Sequence, residues 1–155
     1  MSQQEFLSLL GKLVNEETIK GLSNLSGTKT TQANTAVKTS LPEILQALLN
    51  NCKSEEGASS LYSALDDHDG SSLNNIPETI KDSNTQVDGA KILEHIFGSD
   101  QSAVVNDVVS KSGISSSQAT NILQTISPLL LDTLGKIKQA QGLPQEARQY
   151  FEKAK

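Results

Sequence analysis

A chain of 155 residues and 16.6 kDa, with a net charge of -5 and a pI near 5.0, is long enough for one buried core and too short for two large domains. Its acidic balance and the absence of a Lys/Arg cluster argue against a dedicated nucleic-acid binder, and no run approaches the ~18 apolar residues of a membrane helix. Hydrophobic residues make up 35% of the chain, aromatics 3%, and there is no Trp, so a core must be built from Leu, Ile, Val and Ala, which suits helices packed on helices.

The first predicted helix covers Gln3 to Val14, where Phe6, Leu7, Leu9, Leu10, Leu13 and Val14 recur at helical spacing. This N-terminal stretch carries Glu5 and no basic leader, so the expectation is a cytoplasmic protein without a secretory signal. Glu16 and Glu17 open a second helix on Ile19, Leu22 and Leu25, which Gly27 ends. Thr30 or Thr31 caps the next, with Ala33, Ala36 and Val37 inside, and the Leu41-Pro42 step restarts the chain as a new helix through Ile44, Leu45, Leu48 and Leu49. The single Cys52 reads as a small core residue, with no intrachain disulfide available to it. Ser54, Glu55 and Glu56 begin a helix whose stripe is Ala58, Leu61, Tyr62 and Leu65, and which runs out at Asp66-Asp67-His68-Asp69-Gly70. A short helix entered at Pro77 is predicted on Leu73, Ile76 and Ile80, followed by one over Val87 to Phe97 that Gly98 stops.

From Val104 the pattern repeats: a helix on Val104, Val105, Val108 and Val109 ends at Gly113, and Ser115 to Ser117 cap the next, which buries Ala119, Ile122, Leu123 and Ile126. Pro128 is expected to open a further helix through Leu130, Leu131, Leu134 and Ile137. At one constant offset Ser26-Gly27 aligns with Ser112-Gly113, Gln32-Ala33 with Gln118-Ala119, and Pro42 with Pro128. A Gly stop and a Pro start recurring at fixed places constrain the backbone more than matched leucines do. We therefore read residues 1–141 as a single all-α domain with two helical repeats of homeodomain-like shape, at about 5–49 and 91–135. After Gly142-Leu143-Pro144, residues 142–155 form a charged C-terminal helix carrying Tyr150 and Phe151.

Chemistry is sparse. The unit from Val104 to Ile126 has the outline of a helix-turn-helix, with Lys111 for a phosphate and Gln118 and Asn121 for bases, but no Lys or Arg lies between Ser115 and Pro128, so a packing unit is the stronger reading. Asp67, His68 and Asp69 form an acidic loop with the ligand types of a metal site; read as a calcium loop from Asp67, it has Ser72 where Gly is required. His95 sits at a helix end, where its charged form is favoured. No nucleophile elbow, Walker pattern or G-x-G-x-x-G run occurs.

Three motifs carry a family resemblance: Ala64-Leu65-Asp66-Asp67-His68-Asp69-Gly70-Ser71-Ser72-Leu73, then Gly89-Ala90-Lys91-Ile92-Leu93-Glu94-His95-Ile96-Phe97-Gly98, then Ser112-Gly113-Ile114 followed by Ser127-Pro128-Leu129-Leu130. Together they resemble the YidB-like bacterial proteins, domain of unknown function 937. The resemblance implies an all-helical fold with a homeodomain-like arrangement and no established activity. It raises His68, Asp69, Gly70, His95 and Gly98 as candidate functional residues. The reading that follows is a bacterial, non-enzymatic protein-interaction or self-association module with no cofactor, with Leu129, Leu130, Ile137, Tyr150 and Phe151 as the expected interface. Weak DNA binding and metal binding by the Asp67–Asp69 loop stand as alternatives.

Overall fold

The structure, a computed structural model, describes residues 11, 14–51, 54–66, 68, 73 and 75–141, with the side chains at 49, 58, 62, 66 and 137–141 outside that description. Most of the expected first helix, Cys52, Asp67, Asp69, Gly70 and residues 142–155 also lie outside it. The described elements are α1 (Glu16–Ser26), α2 (Thr30–Asn51), α3 (Glu55–Asp66), α4 (Ile76–Lys81), α5 (Ser83–Phe97), a 3-10 turn (Gly98–Asp100), α6 (Gln101–Ser112) and α7 (Ser116–Gln141). Among the described residues there is no strand, as the apolar periodicity requires.

The two repeated helix pairs, α1–α2 and α6–α7, share most of their turn chemistry. The Gly27 and Gly113 amides donate to Ser23 and Val109 carbonyls, both at 2.9 Å, and both glycines are left-handed, at φ 71° and 77°. Gln32 Oε1 accepts from the Lys29 amide and Gln118 Oε1 from the Ser115 amide, at 3.0 and 2.9 Å. In the second copy Ser115 Oγ also accepts from the Gln118 amide, completing a reciprocal capping box. Lys29 stands at that place in the first copy, so there the cap is made by Gln32 alone, and neither Thr30 nor Thr31 is the cap.

The two turns also meet each other. Gln118 Nε2 donates to the Gly27 carbonyl at 3.2 Å, and Gln32 Nε2 lies 3.9 Å from where a Cβ on Gly113 would stand. The exchange is reciprocal, as are the packings of α2 on α6 and of α7 on α1, so the repeats clasp in the manner of an isologous interface.

α7 is the centre of the molecule, touching α1, α2, α3, α5 and α6. Every residue from Thr125 to Gly135 is buried, and Leu129 and Leu130 are wholly inaccessible. This removes both leucines from the expected interface: with neighbours on all sides, that stretch of α7 has no outer face.

Pro42 and Pro128 do not start helices. Each lies inside one, α2 and α7 running unbroken through it. Pro128 has no N–H, so the Gln124 carbonyl one turn back loses its helical donor. That carbonyl faces Gly89 of α5, where any Cβ would overlap it. Glycine at this position lets α5 lie close along α7, and the tight packing carries the helix past a residue that alone would end it.

The stretch expected to hold one short helix before Val87 instead holds α4, capped by Asn75 with Pro77 in its first turn, and the beginning of α5 at Ser83. The Asp82 side chain accepts from the Asn84 amide and so starts α5 a turn earlier than the apolar pattern indicates.

Substitution separates the two glycine roles. Gly113→Ala forces a left-handed alanine and is expected to cost about 1 kcal/mol, whereas Gly89→Ala separates two packed helices and is expected to cost about 3 kcal/mol. Urea unfolding of both variants measures the order, with Gly89→Ala giving the lower midpoint.

Candidate functional site

α3 reaches the body of the protein through its C-terminal end. The backbone of Gly135 on α7 packs against the carbonyls of Leu65 and His68, again with no room for a Cβ. His68 follows α3 and turns inward, its side chain only 13% exposed. Its Nδ1 lies 2.9 Å from the Ala64 carbonyl and its Nε2 2.9 Å from Asp88 Oδ2 on α5.

Both partners are acceptors. A carbonyl has no proton to give, and neither has an ionised carboxylate, so this arrangement favours the protonated ring, in which both nitrogens donate. Burial alone would pull its pKa down; the Ala64 carbonyl, the hydrogen bond and charge of Asp88, and the charge of buried Asp132 on α7 together outweigh it and hold the pKa above the ordinary 6.5. His68 thus ties α3 to α5, with Asp132 of α7 acting on it through its charge.

Beside this bridge lies an open cleft of about 880 Å³ between α3 and α5. Leu48, Leu61, Ile92, Ile96 and Leu131 make its apolar floor. Along α3 its wall is small, with Gly57, Ser60 and Ala64 at helical spacing, and its polar rim includes Glu56, Lys91 and His95. The size and the mix of apolar floor with few polar groups are those of a binding site.

His68 and His95, which sequence spacing could not relate, line this same cleft. They differ in kind: His68 is committed to two acceptors, while His95 is exposed on the rim. Gly98 is explained by the backbone, since it ends α5 at φ 54° and ψ -123°, a conformation open to glycine, with its amide on the Glu94 carbonyl. Asp69 and Gly70 lie outside the described residues, as does Asp67 of the metal reading. His68 in this geometry has both ring nitrogens hydrogen-bonded rather than free for a metal, and among the described residues no group of three His, Cys, Asp or Glu side chains is placed to hold one.

The three residues of the DNA reading differ in how the fold uses them, and among the described residues Asn121 contributes its backbone alone. Lys111 lies 3.3 Å from Asp107, Gln118 spans its own cap and the Gly27 carbonyl, and the Asn121 carbonyl accepts from Gln86 of α5 at 3.4 Å. The helix that would enter a groove is α7, exposed at Ser116 and Ser117 and enclosed from Thr125 to Gly135. No described helix is long and apolar enough to cross a membrane.

The family model for bacterial proteins of unknown function, DUF937, matches residues 8–137. The chain belongs to this family. The match spans the repeats and the cleft, in agreement with the resemblance carried by the sequence motifs. No curated protein and no solved structure matches the chain. The homeodomain-like description of the repeats therefore rests on the sequence alone, and the family supplies no activity to assign to the cleft.

A second charged cluster, which the sequence did not signal, joins α2 to α6. Glu43 is pushed up from 4.5 to about 7, first by burial and then by its hydrogen bond with the Asp107 carboxyl and the repulsion of that charge, with Lys111 opposing. Its Oε2 is buried without a hydrogen-bond partner. A carboxyl whose folded pKa is raised contributes stability that is complete below pH 4.5 and is lost as pH rises through about 7. Glu43→Gln, always neutral, is expected to stabilise the protein by about 1 kcal/mol at pH 8 and to change nothing at pH 4, after allowance for solvent screening. Thermal melts at the two pH values check this.

Proposed function

We propose that the protein is a non-enzymatic interaction module whose α3–α5 cleft receives an apolar-faced helix of a partner protein. The observation that carries this reading is the pairing of an aliphatic floor with a wall of small residues, a combination that lets a helix backbone come close while its side chains reach apolar surface. The wall from Ser54 to His68 spans roughly 20 Å at the helical rise, the length of about three to four turns of a guest helix.

The histidines fit this role better than catalysis. His68 holds the two walls together through both ring nitrogens, and among the described residues no nucleophile is paired with a base in the cleft. The absence of a disulfide partner for Cys52 suits a reducing compartment, and the reading takes the protein as cytoplasmic.

A photo-crosslinking amino acid placed at Ser60, on the cleft wall, tests the proposal in bacterial cells, with the same amino acid at Asn24, exposed on α1, as the control. The expected result is a discrete protein adduct from position 60 and none from position 24. Equal labelling at the two positions, or none at either, contradicts the proposal.

A further inference from the structure

The cleft has an occupant within reach in its own chain. α7 contributes Leu131 to the floor and abuts His68 at Gly135, then continues to Gln141, six residues or roughly 9 Å beyond. The described helix thus ends at Gln141, a short way past the His68 end of the cleft, and in the sequence that follows Gly142 and Pro144 are residues at which chain direction can change. Read as a helix, residues 145–155 put Ala147, Tyr150, Phe151 and Ala154 on one face, at the i, i+3, i+4, i+7 spacing of an apolar stripe. Such a helix is roughly 16 Å long and fits the roughly 20 Å wall.

Charge agrees with shape. On the rim, Lys91 and His95 stand one turn apart on α5 with no hydrogen bond or ion pair to another described residue, and Glu56 is the acid across from them on α3. The segment carries Glu146 and Glu152 for the first pair and Arg148 for the second. Two adjacent aromatics in a chain with 3% aromatic residues match a floor whose described apolar side chains are all aliphatic. Tethering adds to this, since a segment joined by a few residues is present at millimolar effective concentration without any gain in contacts.

We propose that residues 145–155 dock as a helix in the α3–α5 cleft of the same chain, Tyr150 and Phe151 on the floor and Glu152 at Lys91, and that they compete there with the partner helix. The inference rests on the reading of the cleft as a helix-binding site. It makes the segment an intramolecular occupant that a partner must displace, so apparent partner affinity falls by the fraction of molecules in which the segment is docked.

Zero-length carbodiimide coupling of the full chain, followed by peptide mapping, tests it. This reagent joins a lysine amine to a carboxylate in contact with it, and the Lys111–Asp107 pair at 3.3 Å serves as an internal control. The expected product is an intrachain Lys91–Glu152 or Lys91–Glu146 linkage that falls at least fivefold in Tyr150→Ala/Phe151→Ala, while the control linkage is unchanged. The proposal is overturned if the control forms and Lys91 does not couple to the segment, or if the double variant couples as well as the parent. In a mixture of isotope-labelled and unlabelled chains, linkages between the two kinds assign the occupant to a second copy and also overturn it. A missing Lys91 linkage alongside a retained Ser60 adduct rejects this inference alone, whereas loss of the Ser60 adduct rejects the cleft reading beneath it.

Discussion

The enclosure of α7 is the constraint on which the rest of the structure depends. From Thr125 to Gly135 this helix has no exposed residue, so each neighbour is placed by what α7 presents to it. Apolar side chains fill most of the circumference, but Thr125, Ser127, Asp132 and Thr133 are buried there as well. The three hydroxyls are satisfied one turn back, on the carbonyls of Asn121, Leu123 and Leu129. Gln86 adds a hydrogen bond from α5 to Thr125. A helix enclosed in this way can carry Pro128 in its interior, because Gly89 closes the packing over the freed carbonyl.

Around this axis the repeats are locked and α3 is not. α1–α2 and α6–α7 clasp by reciprocal contacts that each use the same glutamine and the same glycine turn. α3 instead meets α7 at its Leu65–His68 end and, among the described residues, is tied to α5 by the His68–Asp88 pair, with a cleft beside it. The same imidazolium that fastens α3 therefore fixes the width of the cleft. A buried charge shared between two elements is a poor source of net stability and a good source of geometry, since alternative packings would leave it unpaired.

Much of the fold could be read from the sequence. The Gly27 and Gly113 stops, the Asp66 end of α3 and the Gly98 end of α5 all follow from local chemistry that works the same way in any context. Pro77 is placed correctly in a first turn, but Pro42 and Pro128 could not be placed, because Pro in a first turn and Pro in a helix interior look alike until the opposite backbone is known. Three consecutive leucines, Leu129 to Leu131, are a legible sign of all-round burial, and placing Leu129 and Leu130 on an exposed face overlooks it. His68 was singled out correctly, but its partner Asp88 lies across a turn and another helix, and Asp132 farther still. The Glu43–Asp107 contact had no sequence signal, as neither residue is near the other in the chain or part of a recurring pattern.

The claim that most of this account rests on is that His68 is a cation held by Asp88, and proton NMR of the imidazole as a function of pH addresses it directly. A raised folded pKa means that the bridge is complete below pH 6.5 and weakens as pH rises through the folded value. The account predicts a His68 titration midpoint above 6.5 that falls in Asp88→Asn, with resonances of α3 and α5 flanking the cleft shifting through the same transition. A His68 midpoint at or below 6.5, or one that is indifferent to Asp88→Asn, would contradict it.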